Sequence, residues 1–86
     1  MTKLFNDVAY QVVRLSDNLF STGGITPYFY KRGKVWKSTS ALKLHFKYFI
    51  HRTFPYDNCN VVKSVRCGDK IITTTYDARK WMDNPE

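Results

Sequence analysis

Between Asp17 and Asp57 the chain carries no acidic residue, yet this window holds half of its fourteen Lys and Arg side chains and ten of its fourteen aromatic rings. The cations are Lys31, Arg32, Lys34, Lys37, Lys43, Lys47 and Arg52; the rings are Phe20, Tyr28, Phe29, Tyr30, Trp36, Phe46, Tyr48, Phe49, Phe54 and Tyr56. The chemistry open to such residues is non-covalent. Cations release the counterions condensed on a polyanion, and flat rings give unpaired bases a surface to stack on. Nucleic acid is therefore the expected partner, with RNA or single strands ahead of duplex DNA. The densest stretch is residues 30–37, Tyr-Lys-Arg-Gly-Lys-Val-Trp-Lys. Lys31, Arg32, Lys34 and Lys37, with Lys43 and Lys47 beyond them, are the candidate phosphate contacts. Tyr30 and Trp36 are expected to stack bases or to fix the patch. The competing reading is a solvated hairpin whose lysines guard a sheet edge, with Trp36 in the core.

Covalent chemistry finds less support. His45 and His51 lie six residues apart, about 240° around a helix, so they diverge. His45 is expected to border the core and His51 to be exposed. Metal-free phosphodiester cleavage wants two convergent acid–base groups, whereas the carboxylates Asp7, Asp17, Asp57, Asp69, Asp77, Asp83 and Glu86 fall at turns and ends. No enzyme is expected. Gly33-Lys34 is not a phosphate loop, because Tyr28 and Val35 stand where that motif needs a Gly and a Ser or Thr. Residues 21–24, Ser-Thr-Gly-Gly, read as a plain turn rather than a phosphate nest. Cys59 and Cys67, with no turn between them, would sit about 26 Å apart on one strand, too far for a bridge. They read as reduced, buried thiols of a cytosolic protein, and two histidines add no metal-ligand spacing. No cofactor is expected.

A chain of 86 residues makes one small domain, and its formal charge of +7 suits an acidic partner. No apolar run approaches the roughly 18 residues of a membrane span, and the first residues lack the apolar stretch of a signal peptide. Residues 8–15 read as a first strand and 19–24 as a short second one, with 25–27 a connector around Pro27. Residues 28–37 suggest a tight hairpin turning at Arg32-Gly33, or a bulged strand; with continuous pairing Lys31 and Lys37 would share one face and Arg32, Lys34 and Trp36 the other. Leu42, Phe46, Phe49 and Ile50 repeat at helical spacing, predicting a helix over about 41–52, capped by Ser38 or Ser40 and ended by Pro55. Residues 60–66 and 70–76 read as two strands around a Gly68-Asp69 turn, and Asp77 caps a last helical turn over 78–82. The order β-β-α-β-β implies an α+β fold, an antiparallel sheet of about four strands with one main helix packed on it. Exposed sheet edges make a homodimer an expectation.

The segments Leu19-Phe20-Ser21-Thr22-Gly23-Gly24, Gly33-Lys34-Val35-Trp36-Lys37-Ser38 and Ala41-Leu42-Lys43-Leu44-His45-Phe46 resemble small proteins of tailed phages that share an "FSTGG … GKVWKS … LK-x-H" pattern. The resemblance covers residues 19–46. In size and charge the chain is also similar to the TifA type, T-even phage inhibitors of the ToxN endoribonuclease toxin. That likeness carries over no residue. It implies an RNA-binding protein in the cytoplasm of an infected bacterium that holds a host endoribonuclease toxin inactive through shared RNA. The alternatives are direct protein–protein inhibition of a host nucleic-acid-binding factor and a small duplex DNA-binding protein.

Overall fold

Two long segments that each hold three valines become the centre of a sheet in the computed structural model. The structure describes residues 6–24, 28–49 and 54–85. Strands β1 (Asn6–Arg14) and β4 (Cys59–Cys67) pair antiparallel along their whole length, from Asn6↔Cys67 to Arg14↔Cys59. β5 (Lys70–Asp77) returns along β4 through the two-residue Gly68-Asp69 turn. Gly68 takes a φ of 64° there, as tight hairpin turns require. Two short strands, β2 (Phe20–Ser21) and β3 (Phe29–Tyr30), extend the other side, giving the order β3-β2-β1-β4-β5. The fold is α+β as expected, with five strands rather than four.

Helix α1 (Thr39–Lys47) starts at Ser38, whose hydroxyl accepts from the Ala41 amide at 3.1 Å, a cap worth about 1 kcal/mol. Its first residue is tied to the sheet by a 2.7 Å bond between the Tyr10 and Thr39 hydroxyls. The helix stops at Lys47, shorter than its periodicity suggested; residues 50–53, which include Ile50, His51 and Arg52, lie outside the described residues, as does the connector at 25–27. Asp77 caps helix α2 (Ala78–Asp83) by accepting from the Lys80 amide.

Both helices cover one face of the sheet, where Tyr10, Val12, Cys59 and Val61 meet Leu42, Phe46, Phe49, Tyr56 and Trp81. Phe46 joins the two helices to the sheet layer, with ring centroids 5.1 Å from Tyr56 and 5.5 Å from both Phe54 and Trp81. Such pairs add about 0.5–1.5 kcal/mol each beyond their area. Among the described residues the buried Trp81 indole N–H has no hydrogen-bond partner, a local cost of about 1–3 kcal/mol. The opposite face, which carries Phe20, Tyr30, Gln11, Val13, Ser64, Thr73 and Thr75 by strand alternation, has no described helix on it.

Residues 28–37 do not form a self-paired hairpin. Tyr30 pairs with Phe20 on β2, the chain bends at Lys31-Arg32, and Trp36 bridges to Tyr10 on β1. Gly33 is small for close approach rather than for a turn: a β-carbon there would collide with the Phe20 β-carbon and lie 2.7 Å from the Ser21 carbonyl oxygen. The thiols also part company. Cys59 is buried, its pKa pushed up to about 11 by that burial, while Cys67 at the far end of β4 is exposed, not buried as expected. Gly33→Ala is expected to destabilise the fold by about 1–3 kcal/mol, read as a lower urea midpoint; an unchanged midpoint would contradict the contact.

Candidate nucleic-acid interface

The basic loop is fastened at both ends by backbone hydrogen bonds. After β3, the Lys34 amide donates to the Ser21 carbonyl at 2.9 Å, and Tyr10 and Trp36 exchange bonds of 2.8 and 2.9 Å. These contacts draw Trp36 into the core, where it is 3% exposed. Base stacking is closed to it, so of its two expected roles only fixing the patch is left. The other seven candidates, Tyr30, Lys31, Arg32, Lys34, Lys37, Lys43 and Lys47, are all exposed. Among the described residues the ion pairs are Arg14–Asp17 and Arg79–Asp57, and neither uses one of these cations.

Tyr28 and Tyr30 point to the same side of an extended segment and stack with centroids 6.4 Å apart and planes 13° from parallel. Both stand in solvent, 60% and 54% exposed. Lys31 and Arg32 follow directly. Phe20, the cross-strand partner of Tyr30, shares their face. Sequence reasoning counted Tyr28 among the aromatics and placed it at the start of the expected hairpin, but left it out of the site. The usable signal was its two-residue spacing from Tyr30.

The cations do not gather around these rings. Lys34 turns toward the helical layer, with Nζ 5.9 Å from the Trp36 ring centroid. Trp36 in turn packs on His45 of α1 at 5.2 Å. Lys43 and Lys47 lie with Ser40 and Leu44 along the outer surface of α1, on the opposite side of the sheet from the tyrosines. The site is a band: rings on the uncovered sheet face, the 31–37 loop around the edge, and a basic helix beyond.

Beneath the loop runs a polar thread that sequence order hides, since its members are 11 and 35 residues apart. The Tyr56 hydroxyl lies 2.7 Å from His45 Nε2 and 2.9 Å from Ser21 Oγ, and Ser21 Oγ accepts from the Gly23 amide at 3.2 Å. One direction satisfies every member. Gly23 donates to Ser21, Ser21 to Tyr56, and Tyr56 to the unprotonated Nε2 of a neutral His45. Electrostatics agree. Burial, helped by Lys34, lowers the His45 pKa, and burial raises that of Tyr56. Protonated His45 would reverse the bonds and leave the buried Ser21 hydroxyl proton without an acceptor. Ser21 and Tyr56 are both closed to solvent, so this arrangement positions the loop and offers no nucleophile to a substrate.

The sign of the pH effect follows. His45 in the unfolded chain titrates near 6.5 and in the fold below that, so the unfolded state takes up the proton first. Its contribution to stability is complete above pH 6.5 and declines as the pH falls toward the folded value. His45→Gln is expected to flatten that part of the stability profile in urea unfolding across pH 5–7, and an identical slope in the variant would overturn the neutral relay.

No family model, curated protein or solved structure matches this chain.

Proposed function

We propose that the protein is a non-enzymatic RNA-binding protein that carries a single strand around the β3 edge of its sheet. The observation that carries this reading is the exposed, stacked Tyr28–Tyr30 pair followed at once by Lys31 and Arg32. Two parallel rings accept bases without regard to sequence, and adjoining cations take the phosphates between them. The curvature of the site favours a flexible strand. A duplex resists bending on the scale of a small protein, whereas a single strand can pass from the tyrosines over Lys34 and Lys37 toward Lys43 and Lys47. The likeness in size and charge to the TifA-type phage inhibitors, which maps to no particular residue, adds a purpose: the bound RNA bridges this protein to a host endoribonuclease toxin of a toxin–antitoxin system and holds it inactive.

Fluorescence anisotropy against single-stranded RNA, duplex RNA and duplex DNA across a salt series tests the reading. Single-stranded RNA should bind best and lose affinity steeply with salt. Tyr28→Ala and Tyr30→Ala should each weaken binding by about 1–3 kcal/mol at unchanged salt slope. Lys31→Glu and Lys37→Glu should weaken all RNA sequences alike and lower the slope by about 0.7 per lost contact. No binding at low salt would reject RNA and leave a host protein as the partner.

A further inference from the structure

The two edges of the sheet are built differently. β3 is two residues long and runs straight into Lys31 and Arg32, the usual protection of an edge. β5 is eight residues long, pairs with β4 in unbroken register without a bulge, and contains no proline. Residues 70–75 are exposed throughout, including Ile71 and Ile72. We propose that this free edge of β5 pairs antiparallel with the same edge of a second copy, joining the two sheets into one.

The hydrogen-bond alternation sets the register. The Leu15 amide donates to the Asn58 carbonyl at 2.9 Å, which makes the odd-numbered residues of β1 the ones that bond to β4. Through the printed pairings of β1, β4 and β5, Lys70, Ile72, Thr74 and Tyr76 then bond inward to β4. Ile71, Thr73 and Thr75 present their N–H and C=O groups to the open side, and Asp77 its N–H, its carbonyl being taken by the first turn of α2. A two-fold axis perpendicular to the sheet keeps side chains on their own face, so facing residues must have the same parity. The one such register that employs all four outward residues sets Ile71 against Asp77 and Thr73 against Thr75 of the second copy. It forms about six backbone hydrogen bonds, two for each Thr73–Thr75 pair and one for each Ile71–Asp77 pair. Thr74 then meets Thr74 on the axis, and Ile72 stands opposite Tyr76 at the closer, non-hydrogen-bonded spacing.

That register is complementary in shape and charge. Tyr76 borders a depression of about 420 Å³ lined by Thr75, Tyr76, Asp77, Lys80, Trp81 and Asn84. Ile72, 59% exposed and on the same sheet face as Tyr76, is delivered to it from the second copy, and the exchange happens twice. The same register brings the Gly68-Asp69 tip of each copy to the start of α2 in the other, setting Asp69 near Lys80, beside the Arg79–Asp57 pair. The pairing is independent of the RNA reading.

Analytical ultracentrifugation of nuclease-treated full chain should show a dimer of the 10.1 kDa protein. A monomer at all concentrations, or a dimer that disappears with the nuclease, overturns the proposal. Thr73→Pro removes an outward amide while sparing the β4 ladder, and is expected to raise the dimer dissociation constant at least ~10-fold with circular dichroism unchanged. A variant that stays fully dimeric overturns it. In a Cys67→Ser background, Thr74→Cys should oxidise to a covalent dimer and Thr73→Cys should not, because only position 74 faces its own copy within disulfide reach. The reverse pattern overturns the register, and this comparison holds even if the proline variant fails to fold.

Discussion

The reciprocal backbone pair between Tyr10 and Trp36 decides where the cations of the 31–37 loop and of α1 go. It closes a fifteen-residue path from β2 onto the central strand without forming a strand of its own. The pair buries Trp36 beside Tyr10 and sets Ser38 two residues later, where its hydroxyl can start α1. Lys34 and Lys37 flank the buried ring and are therefore held outward by the anchor between them. An indole fixed in a core costs its neighbours their freedom, so the backbone at these lysines has already lost part of its conformational entropy in folding.

A core this rich in rings is unusual in carrying a hydrogen-bonded thread through it. Ser21, Tyr56 and His45 connect β2, the 54–58 turn and α1, three elements that apolar contact alone would leave free to slide. Directional bonds in a low-dielectric setting cost more when broken than they contribute when made, so they select one packing among several that the aromatics would tolerate. The buried Trp81 N–H, without a hydrogen-bond partner among the described residues, shows the opposite choice: there the volume of the ring outweighs one unsatisfied donor.

How much of this was legible depended on the range of the interaction. Ser38, Asp77 and Gly68 act within three residues of themselves, and the caps and the β4–β5 turn were readable from their types alone. Alternation and helical spacing likewise gave the α+β class. Residues 28–37 misled because Arg32-Gly33 has a turn-like composition, while the partner that Gly33 accommodates, Phe20, comes from another strand. With no self-pairing, the expected two-faced distribution of Lys31, Arg32, Lys34 and Lys37 has no basis. Trp36 and the His45–Tyr56–Ser21 thread were hidden for the same reason, since nothing local reports a contact made across 26 or 35 residues.

β4 crosses two environments in nine residues. Its first half, Cys59 and Val61, is sealed under both helices, while its last residues, Arg66 and Cys67, are exposed beside the exposed start of β5. The same ladder of hydrogen bonds is thus shielded at one end and open to water at the other. Opening of single amides should need little free energy at the Gly68 end and approach the cost of global unfolding near Val61. Cooperativity therefore ends partway along one strand: the outer hairpin can fray and re-form while the layer beneath α1, which holds the basic loop, stays intact.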